Sequence, residues 1–133
     1  MNILFVCRHN RFRSKVAEVV FNKINKNPEY KAKSAGIIKG VPVADSVKKI
    51  GRENGVIIKS ETQGLSEKLV GWADVFVIVA NDVPTGIFNR YKKLGKKVIL
   101  WNIKDVSQND ENSIRRVFFQ IKKKIEVFQR GLK

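Results

Sequence analysis

Short apolar runs at residues 3–6, Val75–Val79 and 98–101 alternate with segments whose apolar residues recur every three or four positions. Unbroken apolar runs of this length suit strands covered on both faces, and the longer spacing suits helices lying on a sheet. Strands alternating with helices imply a parallel sheet with helices on both faces, an α/β sandwich, because each parallel connection must cross back over the sheet. In such sheets ligands collect beyond the carboxyl ends of the strands. Those ends carry Cys7, Asn81-Asp82 and the stretch leading to Asp105. Any chemistry is therefore expected along one edge of the sheet.

Between the strands the pattern is explicit enough to place elements. Residues 15–25 put Val16, Val19, Val20 and Ile24 on one side of a helix, with Ala17 and Phe21 widening the stripe. Residues 30–35 read as a second strand ending at Gly36, and residues 45–54 as a helix stopped by Gly55. Residues 66–70 suit one or two helical turns, residues 84–94 a helix closed by Gly95, and residues 98–101 a fourth buried strand. Ile114, Val117, Phe118, Ile121, Ile125 and Phe128 mark a long amphipathic helix.

The chemistry is concentrated at the first strand. Cys7 and Arg13 enclose five residues, Arg8-His9-Asn10-Arg11-Phe12, and Ser14 follows at the start of the helical segment. A loop of that length can turn its backbone N–H groups inward as an anion cradle. The helix start adds free N–H groups and partial positive charge. Arg13 supplies a planar fork for two phosphate oxygens. Such surroundings favour the thiolate form of a cysteine, so Cys7 is read as a nucleophile aimed at the phosphorus of a phosphate ester. Ser14 can hydrogen-bond that sulfur or cap the helix, and Asn10 suits a left-handed position held by its side chain.

Composition narrows the setting. The net charge is +15, with 27 Lys and Arg against 12 Asp and Glu over 133 residues. The field attracts anions, phosphate esters included, but no nucleic-acid-binding motif accompanies it, so a dedicated nucleic-acid role is not expected. No apolar run reaches the roughly 18 residues of a membrane span, and residues 1–6 are too short for a signal peptide. The single cysteine allows no internal disulfide and suits a reducing cytoplasm. With one Cys and one His there is no metal-ligand cluster, and neither metal nor cofactor is expected.

Cys7, Asn10, Arg13 and Ser14, followed by Ser34-Ala35-Gly36 and by Ala73-Asp74 before the third strand, resemble the low-molecular-weight protein tyrosine phosphatases and their relatives, the thioredoxin-coupled arsenate reductases. The resemblance runs from Met1 to about Asp105. It implies one domain over residues 1–133, a three-layer sandwich whose four parallel strands lie in the order 2-1-3-4, and a phosphate-binding loop after the first strand. It further implies phosphate contacts from Arg8, His9, Asn10, Arg11, Phe12, Arg13 and Ser14, with Cys7 and Arg13 catalytic. That family takes its general acid from an Asp in the loop after the fourth strand, usually followed by Pro. Asp105 stands in the matching place, followed by Val106, with Asp110 as the rival. His9 replaces the usual Gly of the loop and is expected at its rim or in solvent. Phe12 replaces a second cysteine, and Ser107 stands where an aromatic often lines the pocket mouth. Asp82 is expected to be structural, bonding loop backbone near the pocket.

The resemblance favours a phosphomonoesterase working through a cysteinyl-phosphate. Its expected partners are a protein carrying phosphotyrosine or phosphoarginine, or a small aryl phosphate, with inorganic phosphate and other oxyanions binding the loop of a monomer. Arsenate reduction is the nearest alternative, but without a second cysteine it requires an external thiol. A cysteine phosphocarrier is opposed by Arg13, which such carriers typically lack. A basic nucleic-acid-binding module would leave the complete loop unexplained.

Overall fold

The computed structural model describes residues 1–132. Strands β1 (Asn2–Cys7), β2 (Lys31–Gly36), β3 (Val75–Val79) and β4 (Lys97–Trp101) form one parallel sheet in the order β2-β1-β3-β4. The helices are α1 (Arg13–Ile24), α2 (Asp45–Glu53), α3 (Glu67–Trp72), α4 (Asn89–Lys93) and α5 (Glu111–Gly131).

The two-residue period of the strands sorts the core into two halves. Ile3, Phe5, Val75 and Val77 face Val16 and Phe21 of α1, Val47 and Ile50 of α2, and Ile114, Phe118 and Ile121 of α5. Leu4, Val6, Phe76 and Ile78 point the other way, toward Leu69 of α3 and Phe88 and Tyr91 at α4. Aromatic rings lock each half. Phe76 stacks on Tyr91 with centroids 5.2 Å apart, and across the sheet Trp101 meets Phe128 edge-on at 5.8 Å. Each fully buried large side chain contributes about 1.5–3 kcal/mol. The helices therefore hold the sheet from both sides, and the carboxyl ends of the strands remain free to carry a site.

Three expectations shift. Helix α1 starts at Arg13 rather than at residue 15, because the Val16 N–H already bonds the Phe12 carbonyl at 2.9 Å. Residues 84–94 do not make one helix. Pro84 is extended, residues 85–88 form a single 3-10 turn containing Gly86, and α4 is only five residues long before Gly95 ends it at φ 83°. Finally, residues 98–101 belong to an edge strand rather than a buried one. Leu100 is 47% exposed, because β4 pairs with β3 alone. An apolar run reports the propensity to form a strand and says nothing of which strand ends the sheet.

Candidate active site

The loop after β1 is shaped from behind. Ile37, Ile38 and Gly40 donate their N–H groups to the carbonyls of Cys7, Arg8 and His9 at 3.0, 3.2 and 3.0 Å. Those carbonyls are thereby turned outward. Among the described residues, none of the N–H groups of residues 8–13 donates to another backbone or side-chain group. Such a row of free donors, continued by the first turn of α1, is a cradle for an oxyanion. The backing strand must come very close. A Cβ on Gly36 would lie 2.7 Å from the His9 carbonyl carbon and 2.8 Å from the Asn10 nitrogen. One on Gly40 would lie 2.7 Å from the His9 oxygen. The glycine of Ser34-Ala35-Gly36 is thus the space into which the loop fits.

Asn10 is fully buried and holds φ 58°, the left-handed conformation that Asn tolerates better than other non-glycine residues. Its Nδ2 donates to Ser14 Oγ and to Ser34 Oγ, both at 2.9 Å, and its Oδ1 accepts the Gln63 N–H at 2.9 Å. Ser34 Oγ in turn donates to Glu18. The Ser14 Oγ that accepts from Asn10 lies 2.9 Å from the Cys7 sulfur, where its hydroxyl can donate to a thiolate. Ser14 makes no helix-capping bond, so the alternative role for its hydroxyl falls away. Sulfur, hydroxyl and amide form one buried relay, with Cys7 2% exposed at its end.

Arg13 is 2% exposed. Its NH1 donates to the Ile103 carbonyl at 2.9 Å, and its NH2 lies 2.9 and 3.2 Å from the two oxygens of Asp82. Asp82 thus bonds the guanidinium and not loop backbone, a correction to the sequence expectation. Its carboxylate and the Ile103 carbonyl hold the back of the fork. The Asn81 N–H also donates to Ile103 O, which ties the segment after β4 to the end of β3.

The rival carboxylates separate clearly. Asp105 is 47% exposed, and its Oδ1 lies 3.8 Å from Arg13 Nε while accepting the Val106 N–H. Asp110 is the N-cap of α5 and accepts from both the N–H and the hydroxyl of Ser113, at 3.2 and 2.6 Å. The Ser113 hydroxyl, followed by its N–H, holds the Asp110 carboxyl below its usual range. Asp105 is beside the loop arginine, whereas Asp110 is occupied by its helix. His9 is half-buried at the rim, Arg8 is exposed, and Arg11 is half-buried toward the start of α2. Phe12 is buried in the core, where its ring anchors the end of the loop under α1.

Sequence reasoning missed two groups that complete this site, the Ile103 carbonyl and the Gln63 N–H. Both act through backbone atoms and carry no side-chain signal. No group of three or more His, Cys, Asp or Glu stands together among the described residues, and no helix among them is long and apolar enough to cross a membrane.

A thiol, a guanidinium and a row of amides at the end of the first strand of a 2-1-3-4 parallel sheet define a class of oxyanion-handling cysteine enzymes. The chain belongs to the low molecular weight phosphotyrosine protein phosphatase family, whose model matches residues 2–133. It is 30% identical to the arsenate reductase of Archaeoglobus fulgidus, with a TM-score of 0.76 over 96% of this chain and 98% of that one. It is 23% identical to a low molecular weight protein tyrosine phosphatase from T. tengcongensis, with a TM-score of 0.85 over 99% of both chains. A YwlE arginine phosphatase from Geobacillus stearothermophilus is 20% identical, with a TM-score of 0.86 over 98% of this chain and 92% of that one. No curated protein matches the chain.

Proposed function

We propose that the chain hydrolyses phosphate monoesters of the protein-tyrosine-phosphatase type through a cysteinyl-phosphate. The observation that carries this reading is the Asn10–Ser14–Cys7 relay, which sets the Ser14 hydroxyl 2.9 Å from the sulfur, where it can stabilise a thiolate at the end of the loop. In the first step the sulfur of Cys7 attacks phosphorus, an S–P bond forms and the ester P–O bond breaks. The loop N–H groups and the Nε edge of Arg13 hold the equatorial oxygens, a preorganised electrostatic stabilisation. The carboxyl of Asp105 gives its proton to the departing oxygen. In the second step the Asp105 carboxylate takes a proton from water, whose oxygen attacks phosphorus and breaks the S–P bond. Inorganic phosphate leaves and the Cys7 thiolate returns, stabilised by Ser14.

The substrate is a phosphotyrosine residue of a protein or a small aryl phosphate, or a phosphoarginine residue, for which the P–N bond breaks in place of the ester P–O bond and the Asp105 proton goes to the departing guanidino nitrogen. Turnover of para-nitrophenyl phosphate tests the reading. Wild type should turn over and Cys7→Ser should not, while Cys7→Ser keeps phosphate or vanadate binding. Activity of Cys7→Ser near wild type would dismiss the covalent route.

The 30% identity to an arsenate reductase favours a second reading, arsenate reduction on the same loop. Cys7 is the chain's one cysteine, so the oxidised sulfur would have to be returned by an external thiol. Arsenate-dependent oxidation of a supplied thiol, lost in Cys7→Ser, would support that reading.

A further inference from the structure

The basic side chains outside the loop and the exposed apolar side chains of β4 and α5 take no direct part in the bond-breaking steps above. A groove runs along the solvent side of α5 beside Trp101 at the end of β4, with Trp101 and Phe128 as its floor and Phe119 and Val127 as its walls. Phe119 is 59% and Val127 63% exposed, large apolar surfaces that a solvated helix face does not need. Half-buried Ile99 joins Trp101 on the α5 side of the sheet, while the outer edge of β4 pairs with no strand among the described residues. The rim is basic, formed by Arg116, Lys123 and Lys124. Lys123 Nζ sits 5.2 Å from the centre of the Phe119 ring and 3.9 Å from Glu126. Arg116 and Lys124 make no salt bridge among the described residues.

We propose that this groove docks an acidic polypeptide segment, laid extended beside β4 with apolar side chains alternating into the groove. Charge and geometry select the occupant. A second copy would bring another +15 chain, and this same cationic rim, against the first. A strand edge offers N–H and C=O groups that another backbone pairs with and that a lipid surface or nucleic acid does not match in register. Acidic side chains flanking apolar ones satisfy both the rim and the floor. None of the groove's lining residues belongs to the candidate active site, so a bound segment does not occupy the loop. Such binding does not depend on whether the loop hydrolyses phosphate esters.

The test uses fluorescence anisotropy of a labelled synthetic peptide of alternating Glu and Val, against the full chain at low salt. A Glu-Ser peptide of equal charge is the control. The Glu-Val peptide should bind the more tightly, and Phe119→Ser should weaken it about tenfold, as loss of an interface anchor does. Lys123→Glu combined with Lys124→Glu should weaken it by at least as much. Phe119 is exposed, so Phe119→Ser should keep the wild-type thermal midpoint. Equal affinity of wild type and Phe119→Ser, or equal affinity for the two peptides, would reduce the binding to general attraction and overturn the proposal. Self-association, or co-sedimentation with phosphatidylglycerol vesicles, that Phe119→Ser abolishes would assign the groove to another occupant and overturn it too.

Discussion

Asn10→Ala should strike stability and chemistry together, and the two can be separated. The substitution removes the acceptor of the partly buried Gln63 N–H bond, which costs about 1 kcal/mol. It also places an alanine at φ 58°, which costs about 1–2 kcal/mol. Together these remove roughly 2–3 kcal/mol, within the roughly 5–15 kcal/mol of an ordinary domain, so the variant should stay folded and measurable. Asn10→Gly loses the same bonds without the backbone strain and should recover about 1 kcal/mol or more. Asn10→Asp keeps the acceptor for Gln63 but no longer donates to Ser14. Its carboxylate then competes with the Cys7 sulfur for the Ser14 hydrogen. Asn10→Asp should therefore lower kcat by about tenfold, the worth of one charge-assisted hydrogen bond. Urea denaturation gives the first quantity and steady-state turnover of phenyl phosphate the second. If Asn10→Gly is no more stable than Asn10→Ala, the left-handed backbone is not the source of the cost. If Asn10→Asp keeps wild-type kcat, the relay does not orient the hydroxyl.

Three further outcomes follow from the same geometry. Gly36→Ala should push the backing strand off the loop, costing about 1–3 kcal/mol and at least tenfold in kcat/KM, while Gly71→Ala, with open space around it, should do neither; urea midpoints and turnover check both. Asp105→Asn should cut phenyl phosphate turnover by about 10²–10⁴-fold with a smaller loss for nitrophenyl esters, and Asp110→Asn should lower only the thermal midpoint; the reverse pattern would make Asp110 the acid. Hydrogen bonds from Arg115 hold Glu53 below the usual carboxylate range, so this link between α2 and α5 is complete above ~4.3, the ordinary Glu value, and is lost as pH falls through the lowered one. Thermal midpoints of Glu53→Gln should thus fall less steeply than wild type below that pH, and parallel curves would refute the linkage.

Much of the fold and of the site is legible in the residues themselves. The strand, loop and helix around Cys7 are local, and each residue type there suits its own place: Asn10 for a left-handed turn, Arg13 for two oxygens, Ser14 one residue beyond. The faces of α1 and α5 follow from spacing alone. What stays hidden is whatever depends on distant chain segments meeting. Ile103 serves through its carbonyl, Gln63 through its N–H, and nothing in their side chains announces either task. Asp82 has an ordinary sequence context, and only the fold brings it to Arg13. The edge position of β4 is decided by strand order. Asp110 could have been told from Asp105 by the Ser three positions on, the spacing of a helix cap.

The central claim, that Cys7 takes up the phosphoryl group, is tested most directly by acid-quenching Asp105→Asn during turnover of para-nitrophenyl phosphate and locating the phosphate by peptide mass spectrometry. With this ester attack needs little acid, while hydrolysis of the intermediate still needs the base, so the phosphoenzyme should accumulate. One phosphoryl group is expected on the peptide containing Cys7, appearing at the rate of the nitrophenol burst and absent in Cys7→Ser. Burst release of nitrophenol with no phosphate on Cys7, or with the phosphate on another residue, would contradict it.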